Sequence, residues 1–315
     1  MKKGFTIVEL LVVIIVIGIL AAITIISYTG ISKKAEISSL KSDLANSSKQ
    51  LNLFQVEKST YPATISTNCS TNPTDATNLC IKSSSTNTYS YKYYSPNSYM
   101  LVSMNGNTCY SITNNSAPVE NCVTIGTQTW MKYNLDVGDR INNTTTSQTN
   151  NSIIEKYCYD NDPANCNTYG GLYQWDEMMQ YSTTEGIQGI APTGFHIPSD
   201  DDYKTLEMYL GMDPSQVIYS GFRGTTEGDQ LKNTGLCQGR IPCATSGFNW
   251  LPGGYQFGYN GVQSWYPPGS YGYLWTSSQF DVWTAFRRIV CTTSGQVNRN
   301  ITEKTLGVSV RAIKN

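Results

Sequence analysis

Charge is scarce in this sequence. Only 14% of its 315 residues are charged, the net charge is −1, and no basic run stands out beyond Lys33-Lys34. A phosphate backbone needs clustered cations, so a nucleic-acid partner is not expected. Histidine occurs once, at His196, and no two cysteines stand at Cys-x-x-Cys spacing. That removes the usual zinc patterns. Serine-nucleophile and phosphate-loop signatures are missing as well. His196 therefore has no partner motif to serve as a catalytic base, and a hydrogen-bonded structural role is expected for it. Three further absences divide the chain. There is no proline before Pro62, no cysteine before Cys69 and no tryptophan before Trp130. The first leaves a long helix unbroken. The second places all nine cysteines on one side of that helix, and the third marks a change of composition near Val123.

What is present begins with a largely apolar run from Phe5 to Ile26, in which Glu9 is the one charge and which Lys2 and Lys3 precede. Roughly 22 apolar residues suffice to cross a bilayer as a helix. A carboxylate inside such a run costs about 2.5–3.5 kcal/mol on insertion scales, which points to a partner for it. A secretory signal cut near Ala21-Ala22, or a plain membrane anchor, shares the basic start and the apolar core. Neither accounts for Glu9. The run Lys3-Gly4-Phe5-Thr6-Ile7-Val8-Glu9-Leu10 resembles the prepilin motif of type IV pilins and pseudopilins. The resemblance implies cleavage after Gly4 by a dedicated prepilin peptidase, methylation of the new N-terminal Phe5, and a role for Glu9 in filament assembly. In a bundle of such helices Glu9 would pair with the α-amine of a neighbour's Phe5. That pairing would offset desolvation and fix the axial register.

Past Ile26 the pattern turns amphipathic, with Ile31, Ala35, Ile37, Leu40, Leu44, Leu51 and Phe54 at helical spacing. One helix over 5–58 is expected, with 5–26 in the membrane or a filament core, and with Gly18 and Gly30 as places to bend. Thr60-Tyr61-Pro62 ends it. Tyr89, Tyr91 and Tyr93, then Tyr99, Leu101 and Ser103 opposite Met100, Val102 and Met104, alternate as strands do. A helix on a short antiparallel meander over 59–122 is a pilin-type head, following a leader of residues 1–4. The cysteines fall into short-range pairs, Cys69/Cys80, Cys109/Cys122, Cys158/Cys166 and Cys237/Cys243, with Cys291 left over. Disulfides in an oxidising compartment are the better reading. Spacing does not determine connectivity, so these pairings rest on proximity.

From residue 123 to 315 the chain carries a succession of motifs: Gly126-Thr127-Gln128-Thr129-Trp130, Tyr169-Gly170-Gly171-Leu172-Tyr173-Gln174-Trp175, Pro192-Thr193-Gly194-Phe195-His196, Leu274-Trp275-Thr276-Ser277-Ser278 and Gly307-Val308-Ser309-Val310-Arg311. In this order they resemble the major paralogous domain named from Fibrobacter succinogenes, often called FISUMP. The glycine-and-tryptophan pattern is also similar to the C-type lectin-like fold. Where the family usually has two cysteines, this chain has Ala191 and Ala312. In relatives they would bond to each other, so closure of the region here is expected to fall on core packing alone. The fold class expected for the whole chain is α+β: a long helix with a small antiparallel sheet, then a loop-rich, disulfide-braced α+β region.

Three local features compete as sites. Asp160 and Asp162, with Asn161, Asn165 and Asn167, offer oxygen ligands suited to calcium, although an Asx-rich turn braced by cysteines needs no metal. Ser199 before Asp200-Asp201-Asp202 reads as a capped helix start over about 199–210 rather than a cation site, and local capping accounts for all four residues. Tyr255 to Tyr273, with Trp265 and Pro267-Pro268, would either fill a loop-rich core or form a sugar-stacking surface. The reading is a type IV pilus subunit: a self-assembling helical polymer, membrane-anchored before assembly and served by the prepilin peptidase and the pilus machinery. It would display a large extracellular domain for adhesion to a surface glycan or host cell. The alternatives are a minor or tip adhesin, or a pseudopilin of a secretion or DNA-uptake system. An enzyme is the least expected class, and no cofactor beyond the calcium candidate is implied.

Overall fold

The computed structural model describes residues 7–84, 86–114, 116–141, 147–259, 262–266 and 268–315. Helix α1, Ile7–Lys58, holds 52 residues and runs straight through Gly18 and Gly30 without a break. At ~1.5 Å rise per residue it is about 78 Å long. It stops where Ser59 takes a left-handed conformation, φ 60°, and the chain turns into Pro62.

Only the second half of α1 packs on the rest of the chain. Leu40, Leu44, Leu51 and Phe54 are buried against Tyr91, Tyr99, Leu101, Tyr110 and Ile112 of the head sheet. That sheet has the order β1-β2-β3-β4, from Thr88–Ser95, Ser98–Asn105, Thr108–Thr113 and Val119–Glu120, all antiparallel. Burying each such leucine stabilises by about 1.5–3 kcal/mol. Hydroxyl pairs tie the contact down: Ser47 Oγ donates to Tyr89 Oη at 2.9 Å, and Ser48 Oγ lies 3.0 Å from Tyr99 Oη.

The other face of the same sheet is not left to solvent. Tyr94, Met100, Val102 and Cys109 enter one apolar cluster with Met131, Trp175, Tyr273 and Val310. Tyr94 Oη donates to Ile190 O at 2.9 Å, Thr193 Oγ1 donates to Tyr91 O at 3.0 Å, and Lys92 Nζ donates to Gly189 O. The head and the C-terminal region thus share a core, and the compositional change near Val123 is not a gap in packing. Burial lowers the Lys92 pKa to about 8.

Beyond it, strands β5 (Cys122–Ile125) and β6 (Gln128–Met131) form a hairpin. It joins β8 (Phe195–His196) and β14 (Ile313–Lys314) in the order β8-β14-β6-β5. A six-stranded sheet runs β7-β13-β10-β11-β12-β9, where β7 is Leu172–Tyr173, β9 Gly221–Arg223, β10 Tyr271–Gln279, β11 Thr284–Cys291, β12 Val297–Glu303 and β13 Val308–Ser309. Helices α2 (Pro163–Tyr169), α3 (Trp175–Met178) and α4 (Asp200–Tyr209) connect the strands. Trp130, Trp175, Trp250 and Trp275 are fully buried. Trp175 Nε1 donates to Thr276 O at 2.9 Å and Trp275 Nε1 to Tyr173 O at 2.8 Å.

The expectation that packing alone closes the C-terminal region needs correcting. Ala191 and Ala312 do lie together in the apolar core. But β14 is hydrogen-bonded between β8 and β6, and the buried Arg311 guanidinium donates to Met131 O at 3.0 Å, Phe248 O at 2.6 Å and Asn134 Oδ1 at 2.8 Å. Polar closure replaces the staple. Burial pulls the Arg311 pKa down to about 9.

Candidate assembly helix and surface sites

In the first half of α1, every described side chain from Ile7 to Ala35 is exposed. Sixteen exposed large hydrophobics lie there, from Ile7 at 79% to Ile31 at 68%. Water does not tolerate an aliphatic cylinder of that length, so this surface is built for lipid or for other helices. α1 is the one helix among the described residues long and apolar enough to cross a membrane. Glu9 is the acidic residue of its first turn, where a carboxylate also complements the helix dipole. Gly4 and Phe5 lie outside the described residues.

Four disulfides join Cys69–Cys80, Cys109–Cys122, Cys158–Cys166 and Cys237–Cys243, and Cys291 is free and buried. The Cys109–Cys122 bond ties the head strand β3 to β5 of the C-terminal region. At the calcium candidate, Asp162 caps α2, its Oδ1 accepting from Ala164 N at 2.9 Å, while exposed Asp160 sits in a left-handed turn with φ 53°. Among the described residues neither belongs to a group of three or more His, Cys, Asp or Glu side chains suited to a metal.

At α4 the expected cap is present. Ser199 Oγ accepts from Asp202 N at 3.0 Å, and Asp202 Oδ2 accepts from Ser199 N at 2.8 Å. Asp202 also meets His196 Nε2 at 3.4 Å, and His196 Nδ1 lies 2.8 Å from Asn315 Oδ1. The Asp202 hydrogen bond lifts the His196 pKa above its ordinary value, against the effect of burial. Capping does not account for Asp200, however, and here the sequence reading is corrected. Asp200 is buried, and its carboxylate is held by Arg288 Nη1 at 2.6 Å, Arg299 Nη2 at 2.8 Å and Lys204 Nζ at 2.9 Å. Two turns on, Glu207 takes Arg288 Nε at 2.6 Å and Arg223 Nη1 at 2.7 Å. This buried network joins α4 to three strands of the large sheet. Asp200 and Glu207 at spacing seven on one helix face were a visible signal, but their arginine partners lie far along the chain.

The aromatic stretch Tyr255 to Tyr273 divides between core and surface. Tyr273 is buried, Tyr255 stacks on Tyr266 at 5.3 Å, and the Arg287 guanidinium lies 4.9 Å from the Tyr273 ring. Trp265 is half-buried, edge-on to Tyr159 at 5.5 Å, and Pro267 lies outside the described residues. Sequence reasoning passed over a second aromatic feature. The turn between β10 and β11 presents Phe280, Val282 and Trp283, the last 78% exposed.

Comparison with known proteins places both ends of the chain. The profile of the Fibrobacter succinogenes major domain matches residues 123–314. The chain belongs to that family. The profile of the prokaryotic N-terminal methylation motif matches residues 1–25, so the prepilin-type N-terminus is joined to this domain in one chain. Among curated proteins the chain is similar to type II secretion system core protein G. The match is 33% identical over 63 residues in Dickeya chrysanthemi, 20% of this chain and 41% of that protein. In Klebsiella pneumoniae it is 33% over 63 residues, 20% and 45%, and in Escherichia coli K12 32% over 63 residues, 20% and 43%. The chain thus spans less than half the length of these relatives. No solved structure matches it.

Proposed function

We propose that this chain is a structural subunit of a type IV pilin-class filament. Its apolar half-helix forms the filament core, and its Fibrobacter-type domain is displayed on the outside. The observation that carries this reading is the exposed apolar surface of the first half of α1, where every described side chain from Ile7 to Ala35 is exposed. Lys2 and Lys3 would stay cytoplasmic while the head faces outward. The prepilin peptidase would cut after Gly4 and Phe5 would be methylated. The helix would then leave the membrane to bundle, Glu9 pairing with the neighbour's α-amine. The role is structural rather than catalytic, with adhesion as the purpose of the displayed domain.

The similarity to a type II secretion protein over the N-terminal residues favours a second reading, a pseudopilus subunit in a secretion system. The large head argues against it, since a short periplasmic filament would be crowded by it. Shearing filaments from the cell surface and sequencing the N-terminal peptide by mass spectrometry separates the cases. A chain beginning at methylated Phe5 and abundant in the sheared fraction supports the pilus. A chain processed but absent from surface filaments supports the pseudopilus. A retained Met1–Gly4 removes both. Glu9→Ala should cut filament yield at least about ten-fold with membrane insertion unchanged, because an assembled helix would carry an unmatched buried amine; normal filaments from that variant would refute the pairing.

A further inference from the structure

Two adjoining cavities lie along the seam between the head sheet and the C-terminal region. They enclose about 340 and 410 Å³ and share Thr113, Asp136, Cys166 and Asn167 as common wall. Both volumes fall in the ~300–1,000 Å³ range of small-molecule sites, which favour such seams. The first cavity is walled by Tyr133, Val119, Tyr169 and Leu251, and Tyr133 is 43% exposed. The second is lined by Asn97, Asn114 and Asn167, and their carboxamides make no hydrogen bond to another described residue.

The charges around the second cavity are two of each sign, and each is already engaged. Lys156 Nζ holds Asp136 at 2.6 Å, Arg140 Nη1 donates to Asn161 O at 2.6 Å, and Asp139 accepts from Ser95 Oγ at 2.6 Å. A ligand here is not asked to bring a charge. The free groups are amides, which both donate and accept, as hydroxyls do. Tyr133 shares the first cavity's wall with Asn167, and its part-exposed ring supplies an apolar surface for the C–H face of a pyranose. The Cys158–Cys166 bond and the capped α2 hold one wall, and Cys109–Cys122 ties the two regions that flank the seam. The groove therefore loses little freedom on binding.

We propose that this seam is a binding groove for a neutral oligosaccharide, contacted by both the head and the C-terminal region and independent of calcium. An extended peptide fits less well, since it presents separate N–H and C=O groups and brings no apolar ring face to Tyr133.

The test uses the purified full chain in a sugar-free detergent, applied to an array of neutral four- to six-sugar glycans beside sialylated and sulfated glycans and random peptides. Neutral glycans should be retained with chelator present. Tyr133→Ala should weaken retention about ten-fold and Asn167→Ala about three-fold, while the distant Trp283→Ala leaves it unchanged. Both groove residues are surface positions, and unchanged melting of Asn167→Ala keeps the test valid if Tyr133→Ala folds poorly. The proposal is overturned by no retention of neutral glycans, by retention of acidic glycans or peptides alone, or by full retention in a folded Asn167→Ala or Tyr133→Ala chain. The assay needs no filament, so it fails or succeeds apart from the pilus reading.

Discussion

The contact between α1 and the head sheet and the core beyond Val123 are held together by different chemistry. At the helix contact, leucines and Phe54 of α1 meet tyrosine rings and aliphatic side chains of the head. Beyond Val123 the interior also encloses Glu177, Glu207, Asp229, Lys232, Arg288 and Arg311, each no more than 2% exposed. Among the described residues, every buried charged side chain lies in that second region. The difference has a cost and a use. Apolar burial is non-directional and insensitive to pH. Buried charges stabilise only when every partner is in place, but they select one arrangement of distant strands. A loop-rich region with short strands needs that selection more than a helix lying on a meander does.

Breaking the charged network should have the largest effect. Arg288→Ala removes the guanidinium shared by Asp200 and Glu207 and should cost about 4 kcal/mol in denaturant unfolding at pH 7. Burial alone would raise the Asp200 pKa, but the Arg299 and Arg288 contacts hold it well below the usual carboxylate range. A lowered folded pKa contributes stability above the unfolded value of about 3.9, and that contribution is lost as pH falls through the folded one. The penalty of Arg288→Ala should therefore shrink in acid. A penalty equal at pH 7 and pH 3 would show that lost packing, not charge, is responsible. In the apolar contact, Leu44→Ala opens a cavity beneath the sheet and should cost about 3 kcal/mol. Its cost should be the same at pH 5 and pH 8, which is the sharper half of the comparison.

The same contrast decides what could be read in advance. α1, its apolar stripe and the alternating strands after Tyr89 are written in local periodicity, and so is the cap at Ser199. Met100 and Val102 opposite Leu101 put apolar residues on both faces of that strand, a signal of two-faced burial that the alternation reading left unused, because a sheet with one wet face keeps that side polar. The partner of the second face was invisible, since Trp175, Tyr273 and Val310 come from far along the chain. The Asp200 and Glu207 network was hidden for the same reason: a carboxylate at a helix start has a sufficient local explanation, and nothing local names Arg288 or Arg299. The seam groove exists only when Asn97 and Asn114 of the head meet Asn167 beside a disulfide. No linear motif carries such a meeting.

The smallest effect expected is also the most diagnostic of the charged region. Glu177 is buried at 1% exposure, with Oε1 accepting from Glu155 N at 2.8 Å and Oε2 from Tyr181 Oη at 2.8 Å. No cation is paired with it among the described residues, and burial pushes its pKa up to about 7 despite those two hydrogen bonds. A raised folded pKa means the folded chain binds a proton that the unfolded chain has released. The associated stability is fully present below the unfolded value, about 4.3, and is lost as pH rises through about 7. Above that, the fold carries an uncompensated carboxylate. Glu177→Gln keeps the shape and both hydrogen bonds, with the Tyr181 hydroxyl turning from donor to acceptor. It should leave stability unchanged near pH 5 and raise it by about 1 kcal/mol at pH 8. Chemical denaturation at the two pH values reads the difference directly. A gain of equal size at both would mean that the carboxylate is not the source, and the buried charge at this position would have to be matched by a group not yet counted.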